Sequence, residues 1–236
     1  MAATRPELGP LARALAGHGR LPWGPRWPHA VTGELAGVPV VLAASGLGKA
    51  NAAAALAALV ASAGGAVRAV LQVGVGGAYP GAPVATGAAA LAASELDLDL
   101  GLGRHPDWRD LEALAVPGDE TRNRIDLAGP ALEAARAATG LPALAFATSD
   151  AVTADRDDAA YLAGRFGASV ESMEGAGAAR AAAALGVPFV ELRGVSNLAG
   201  DRDKASWRLR EAIAAACEAA VAAAGAVWEV CREPAG

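Results

Sequence analysis

Four short segments carry the residue types that can do chemistry, and each one stands where an apolar run ends. Ser45-Gly46-Leu47-Gly48-Lys49 precedes an Ala-rich stretch. Glycines at such a junction permit a tight turn and leave helix N–H groups free to face an anion or a polar ligand, although the spacing is neither a Walker loop nor the dinucleotide fingerprint. Val73-Gly74-Val75-Gly76-Gly77-Ala78 follows a second apolar run, where glycines let backbone approach a ligand at the carboxyl end of a sheet. Val170-Glu171-Ser172-Met173-Glu174 puts two carboxylates just ahead of a helix, and a carboxylate can accept the paired hydrogen bonds of a vicinal diol. Glu191-Leu192-Arg193-Gly194-Val195-Ser196-Asn197 ends in an amide, which donates and accepts at once and so can read the O6 and N7 edge of a purine. Each segment alone has an ordinary structural explanation as well, in turns, helix caps and dipole-complementing acids.

These segments need elements to hold them. Short apolar runs alternating with Ala-rich helical stretches predict an α/β fold, strands covered by helices on both faces. The expected strands are 38–43, 67–73, 84–93, 141–148, 169–171 and 187–194, and the expected helices 49–63, 127–138, 155–165, 174–185 and 205–230. Gly186 followed by Val187 and Pro188 is a helix stop feeding a strand. The Gly/Pro/Trp-rich stretch 17–29 and the charged stretch 101–123 are expected as loops, with Trp23 and Trp27 pinning the first to the core. At 236 residues, one domain spanning 1–236 is expected.

Composition narrows the function classes. Apolar residues make up 53% of the chain and aromatics 4%, so the core is expected to be aliphatic and closely packed. A net charge of -5, with 20 basic and 25 acidic residues interspersed, provides no basic face for a phosphate backbone, and no nucleic-acid partner is expected. Of the two most apolar stretches, 52–63 is too short to span a bilayer and 212–230 carries Glu218 and Glu229, so no membrane partner is expected either. No apolar run precedes Pro22, which makes a cytoplasmic address the expectation. Cys217 falls at helical spacing with Ile213, Val221, Ala224 and Trp228 and reads as a core thiol, so with Cys231 it makes no disulfide framework. His18, His29 and His105 lack metal-ligand spacing, so neither a metal nor another cofactor is expected.

Taken together, SGLGK, VGVGGA, TSDAV, ESMEG and ELRGVSN resemble, in order and approximate spacing, the purine nucleoside phosphorylase and nucleosidase superfamily over Val38 to Trp207. The pairing of Ser196-Asn197 with Gly200-Asp201-Arg202-Asp203 and Trp207 is most similar to its futalosine-hydrolysing branch. The resemblance implies a three-layer α/β/α fold around a twisted, mostly parallel mixed sheet. It also implies hydrolysis of a purine nucleoside without a cofactor, and a homodimer. In the roles it implies, Glu174 holds the ribose 2′ and 3′ hydroxyls with Met173 against the sugar. Asn197 stands where adenine-specific nucleosidases carry Asp and so favours a 6-oxopurine such as hypoxanthine. Gly74, Val75 and Gly76 are implied to bind the substrate, Val152 lines the base pocket, and Val75 stands where many phosphorylases contact phosphate through a Ser or Thr. Glu7 is the implied base for water and Arg193 its orienting partner. Only two residues precede Ala3 where the resemblance implies a strand, so either the start lies further upstream or an edge or inner strand is absent. A methylthioadenosine or S-adenosylhomocysteine nucleosidase, a purine nucleoside phosphorylase, and a catalytically inactive nucleoside-binding protein are the competing readings.

Overall fold

A computed structural model describes residues 1–20, 30–103 and 107–232; Trp23, Trp27, His29 and His105 fall outside these residues. The helices are α1 (Arg5–Ala14), α2 (Lys49–Ser62), α3 (Pro130–Thr139), α4 (Arg156–Phe166), α5 (Gly175–Ala184) and α6 (Leu209–Cys231). The strands are β1 (Ala16–Arg20), β2 (Ala30–Leu35), β3 (Val38–Ala43), β4 (Val70–Ala78), β5 (Ala89–Asp97), β6 (Arg124–Asp126), β7 (Ala143–Thr148), β8 (Val170–Ser172) and β9 (Phe189–Leu198).

The main sheet runs β6-β5-β7-β8-β4-β9, and β9 pairs back onto β5, so five of its strands close into a ring. It is mixed as expected: β5–β7, β7–β8 and β4–β9 are parallel, whereas β4–β8, β5–β6 and β5–β9 are antiparallel. α1, α3 and α6 cover one side through a core containing Leu8, Leu11, Leu132, Ala216, Cys217 and Ala220 against Val73, Leu91 and Leu192. On the other side, Ala52 and Leu56 of α2 meet Ala178 and Ala182 of α5. The small side chains allow close approach: a Cβ on Gly177 would stand 2.7 Å from Lys49 Cα, so these two helices cross almost backbone to backbone. By length and composition α6 could cross a bilayer, yet Ala212, Ala216, Cys217, Ala220 and Ala223 are buried in this core.

Several strands run past their expected ends. The glycine run 74–78, beyond the expected strand end at 73, continues β4 with an irregularity at Gly76/Gly77, and Asn197, beyond the expected strand end at 194, lies inside β9. β5 starts at Ala89 rather than 84 and carries Glu95 and Asp97 within the sheet. Polar residues argue against strand only where water would hydrate them; inside the ring they find protein partners instead. The stretch expected as a loop from 17 begins with β1, which pairs antiparallel with β2.

Met1–Ala3 occupy the place where the resemblance implies a strand. Met1 O accepts from Val73 N at 2.8 Å, Ala2 N donates to Ala43 O at 3.0 Å, and Ala2 bridges Ala44 in parallel. Met1–Ala3 thus lies between the end of β3 and β4, and it ties the small β1-β2-β3 sheet to the large one. Thr4 then caps α1, so Glu7 falls in that helix's first turn, directly at the sheet's rim.

Candidate active site

Glu7 is 7% exposed, which disposes of a free surface role. Its Oε2 accepts from Thr4 N at 2.9 Å and from Thr4 Oγ1 at 2.7 Å, and its Oε1 accepts from Val75 N at 3.1 Å. The first pair forms a capping box, so one oxygen secures the start of α1 while the other looks toward β4. A Cβ on Gly74 would collide with Arg193 Nη1 and stand 2.9 Å from Glu7 Oε1, so glycine there is what lets the two groups converge.

Arg193 is wholly buried on β9, opposite Gly74 in the β4 register, rather than an exposed strand-end residue. Nε donates to Glu191 Oε1 at 2.7 Å, and Nη1 donates to Glu174 Oε2 at 3.1 Å and to Val75 O at 3.3 Å. The guanidinium's hydrogen bonds go to Glu191, Glu174 and Val75, while Glu7, which the resemblance makes its orienting target, stands across the space above Gly74 and adds to the negative charge around it. Burial would favour its neutral form, but Glu191, Glu174 and Glu7 outweigh that and raise its pKa further. Glu174, 2% exposed, ends the short β8 turn as the N-cap of α5, and its Oε1 accepts from Gly48 N at 3.2 Å. The Ser45–Lys49 segment therefore supplies an N–H to a carboxylate of the protein itself.

Asn197 is 9% exposed and pairs with Gly77 across β9 and β4; on its other side Gly77 pairs with Glu171 of β8. Asn197 Oδ1 accepts from Ser196 Oγ at 2.7 Å and Nδ2 donates to Leu198 O at 2.8 Å, which fixes which end of the amide is which. Met173 is half-buried beside Glu174, and Val152 is 43% exposed at the rim. The loop bearing Val152 is tied down by Glu171, whose Oε2 accepts from Thr153 N at 3.1 Å, from Thr153 Oγ1 and from Tyr79 Oη at 3.3 Å. Burial pushes the Glu171 carboxyl above its ordinary pKa, and those three donors offset part of the rise.

Thus Glu7, Gly74, Val75, Glu174 and Arg193 meet directly, Gly76 and Asn197 continue along the same two strands, and Val152 stands further out. Two acids of the β5 end, Asp97 and Asp99, escaped the sequence reading. Lys49 Nζ bridges Asp97, at 2.6 Å, and Asp99, while Asp99 Oδ2 accepts from Asp150 N at 2.9 Å and Asp150 Oδ1 accepts from Lys49 N at 2.9 Å. Burial opposes ionisation at both aspartates; it prevails at Asp97, whose pKa is raised, whereas bonds from Lys49 and the Asp150 amide prevail at Asp99, whose pKa is lowered. The alternation in Glu95-Leu96-Asp97-Leu98-Asp99 was the available signal, since period two puts the acids on one strand face.

Comparison with known proteins identifies the family and the fold. The phosphorylase superfamily model matches residues 1–232. Futalosine hydrolase of Thermus thermophilus is 44% identical over 187 residues, covering 78% of this chain and 81% of the relative. Among solved structures, a 5'-methylthioadenosine/S-adenosylhomocysteine nucleosidase from Neisseria meningitidis, in complex with methylthio-immucillin-A, superposes with a TM-score of 0.81 at 24% identity, over 94% of this chain and 96% of that one. Futalosine hydrolase of Helicobacter pylori superposes with a TM-score of 0.79 at 21% identity, over 95% of each. The chain belongs to the phosphorylase superfamily and, within it, to the futalosine hydrolases.

Proposed function

We propose that this chain hydrolyses the N-glycosidic bond of futalosine, releasing hypoxanthine and dehypoxanthine futalosine as a step of menaquinone biosynthesis. The observation that carries the reading is the 3.1 Å bond from Arg193 to Glu174, because it ties a diol-gripping carboxylate to the strand that bears a purine-reading amide. As the bond breaks, positive charge develops on the sugar and negative charge on the base. Glu174 and Glu7, with Glu191 behind them, face one guanidinium, so this side of the site is net negative and favours the cationic sugar. Glu7 Oε2 spends both lone pairs on Thr4, whereas Oε1 accepts only from Val75 N and keeps one with which to take a proton from water. Asn197 spends one N–H on Leu198 O and keeps the second for a 6-oxo group, while Oδ1 keeps a lone pair for a protonated N7.

Val75 contributes no hydroxyl and Gly74–Gly77 no cation, which supports water rather than phosphate as the nucleophile. A cytoplasmic address and a homodimer belong to the same proposal; Leu47 and Val152, 58% and 43% exposed beside the Gly48–Asp150 contact, are apolar surface that a second copy would cover. Incubation with futalosine, inosine and methylthioadenosine, each with and without phosphate, tests the reaction. Futalosine should release hypoxanthine fastest and without phosphate. Faster cleavage of methylthioadenosine, a requirement for phosphate, or binding without turnover would each overturn it.

A further inference from the structure

Behind the site lies a buried pair of carboxyl groups to which the mechanism above gives no role. Glu95 of β5 and Glu191 of β9 are both wholly buried. Glu95 Oε2 accepts from Thr148 Oγ1 at 2.7 Å and Glu191 Oε1 accepts from Arg193 Nε at 2.7 Å. Their other oxygens, Glu95 Oε1 and Glu191 Oε2, have no hydrogen-bond partner. Those two oxygens converge on one point: a Cβ on Gly175 would collide with both. Two ionised carboxylates cannot turn bare oxygens on each other in a dry interior, but a single proton between them satisfies both acceptors at once.

With that proton in place a continuous run of directed bonds appears. Thr148 Oγ1, which accepts from Ala176 N at 2.9 Å at the start of α5, donates to Glu95. Glu95 then donates to Glu191, Glu191 accepts from Arg193 Nε, and Arg193 Nη1 donates to Glu174. Burial first, and the charge of Glu191 second, lift the Glu95 carboxyl well above its ordinary pKa, which places the proton on the Glu95 side of the pair.

We propose that Glu95 and Glu191 are positioning residues for hydrolysis: one proton shared between Glu95 Oε1 and Glu191 Oε2 locks the Glu191 carboxylate, which in turn aims the Arg193 guanidinium at Glu174. Neither carboxyl touches the nucleoside. The effect on turnover rests on the reading of the site as a futalosine hydrolase, whereas the shared proton itself does not.

Two measurements separate these layers. Infrared spectra of the ligand-free protein at neutral pH should contain a protonated-carboxyl C=O band that disappears in Glu95→Gln; no such band, or one unchanged by the substitution, overturns the pairing whatever the enzyme cleaves. With futalosine, Glu95→Met fills similar space without donating and should lower kcat about tenfold or more at nearly constant KM, an outer-shell effect. Glu95→Gln offers an N–H in place of the acid O–H and should restore kcat to within about threefold of the parent, a difference smaller than one charged hydrogen bond is worth. Melting curves establish that both variants fold. Equal kcat for Glu95→Met and Glu95→Gln would mean the side chain only fills space and would overturn the positioning role. If the parent itself leaves futalosine intact while the infrared band is present, the functional reading fails and the shared proton stands.

Discussion

The amide of Asn197 is held on both sides by its own strand neighbours, and this decides what a change there does. Leu198 O can only accept, so the group facing it at 2.8 Å must donate. In Asn197→Asp, a carboxylate oxygen would oppose that carbonyl, and the introduced carboxyl must be protonated to stay in place. We expect hypoxanthine release to fall by on the order of 10²-fold at neutral pH, as for loss of one preorganised donor. Activity should recover partly as pH is lowered, and preference should move toward 6-aminopurines; a variant with parental specificity and a flat pH profile would show that backbone reads the base. Glu174→Ala removes the sugar's anchor and should lower kcat/KM by a similar order or more, measured by hypoxanthine release, while circular dichroism stays that of the parent. At this scale motif order singles out Glu174, Arg193 and Asn197, whereas Glu7 lies outside every motif and is named only through the resemblance. The Glu95–Glu191 pair could not be picked out, since nothing local signals that two acids far apart in the chain will face each other.

Among the elements, β4 shows why glycine is needed along a wall of the site. Val73–Ala78 is a strand, not a loop, and its missing side chains leave room for Arg193 and Glu7 to meet above Gly74. Gly74→Ala should therefore reduce kcat far more than it reduces stability, because the new methyl is accommodated by pushing flexible side chain ends apart rather than by moving backbone. Hypoxanthine release and thermal melting on the same preparation check this; a melting drop without a kinetic effect would count against it. Periodicity located β3, β7 and the helices α2 to α6 to within a few residues. It missed α1, β1, β2 and β6, and the far ends of β4, β5 and β9, where polar and glycine residues mimic loops until the ring closes around them.

For the molecule as a whole, buried acids shape the response to pH, set against the buried Met1 amino group, whose pKa desolvation lowers to about 5 and which therefore adds stability as pH rises. Glu95, Asp97 and Glu171 all have pKa values raised in the folded state, chiefly by burial. A carboxyl with a raised folded pKa stabilises the fold below its ordinary value and loses that contribution as pH climbs through the folded one. Asp99, lowered instead, works in the opposite sense: its contribution is present above the ordinary aspartate value and lost as pH falls through the folded pKa. Denaturant unfolding at successive pH values should show stability declining from about pH 4.5 upward, the model-peptide region for Glu. Glu95→Gln should make that decline shallower, and an unchanged slope would assign it to other groups.

The closed ring has one more consequence, for motion. β4, β5, β7, β8 and β9 each have neighbours on two sides, so no one of them can peel away without its partners. Their amides should trade hydrogen for deuterium only when the whole domain opens, which makes the walls carrying Arg193 and Asn197 among the slowest-exchanging parts of the protein. Substrate entry must then be the business of the surrounding connections, such as the segment bearing Val152, while the reacting geometry stays fixed from one turnover to the next.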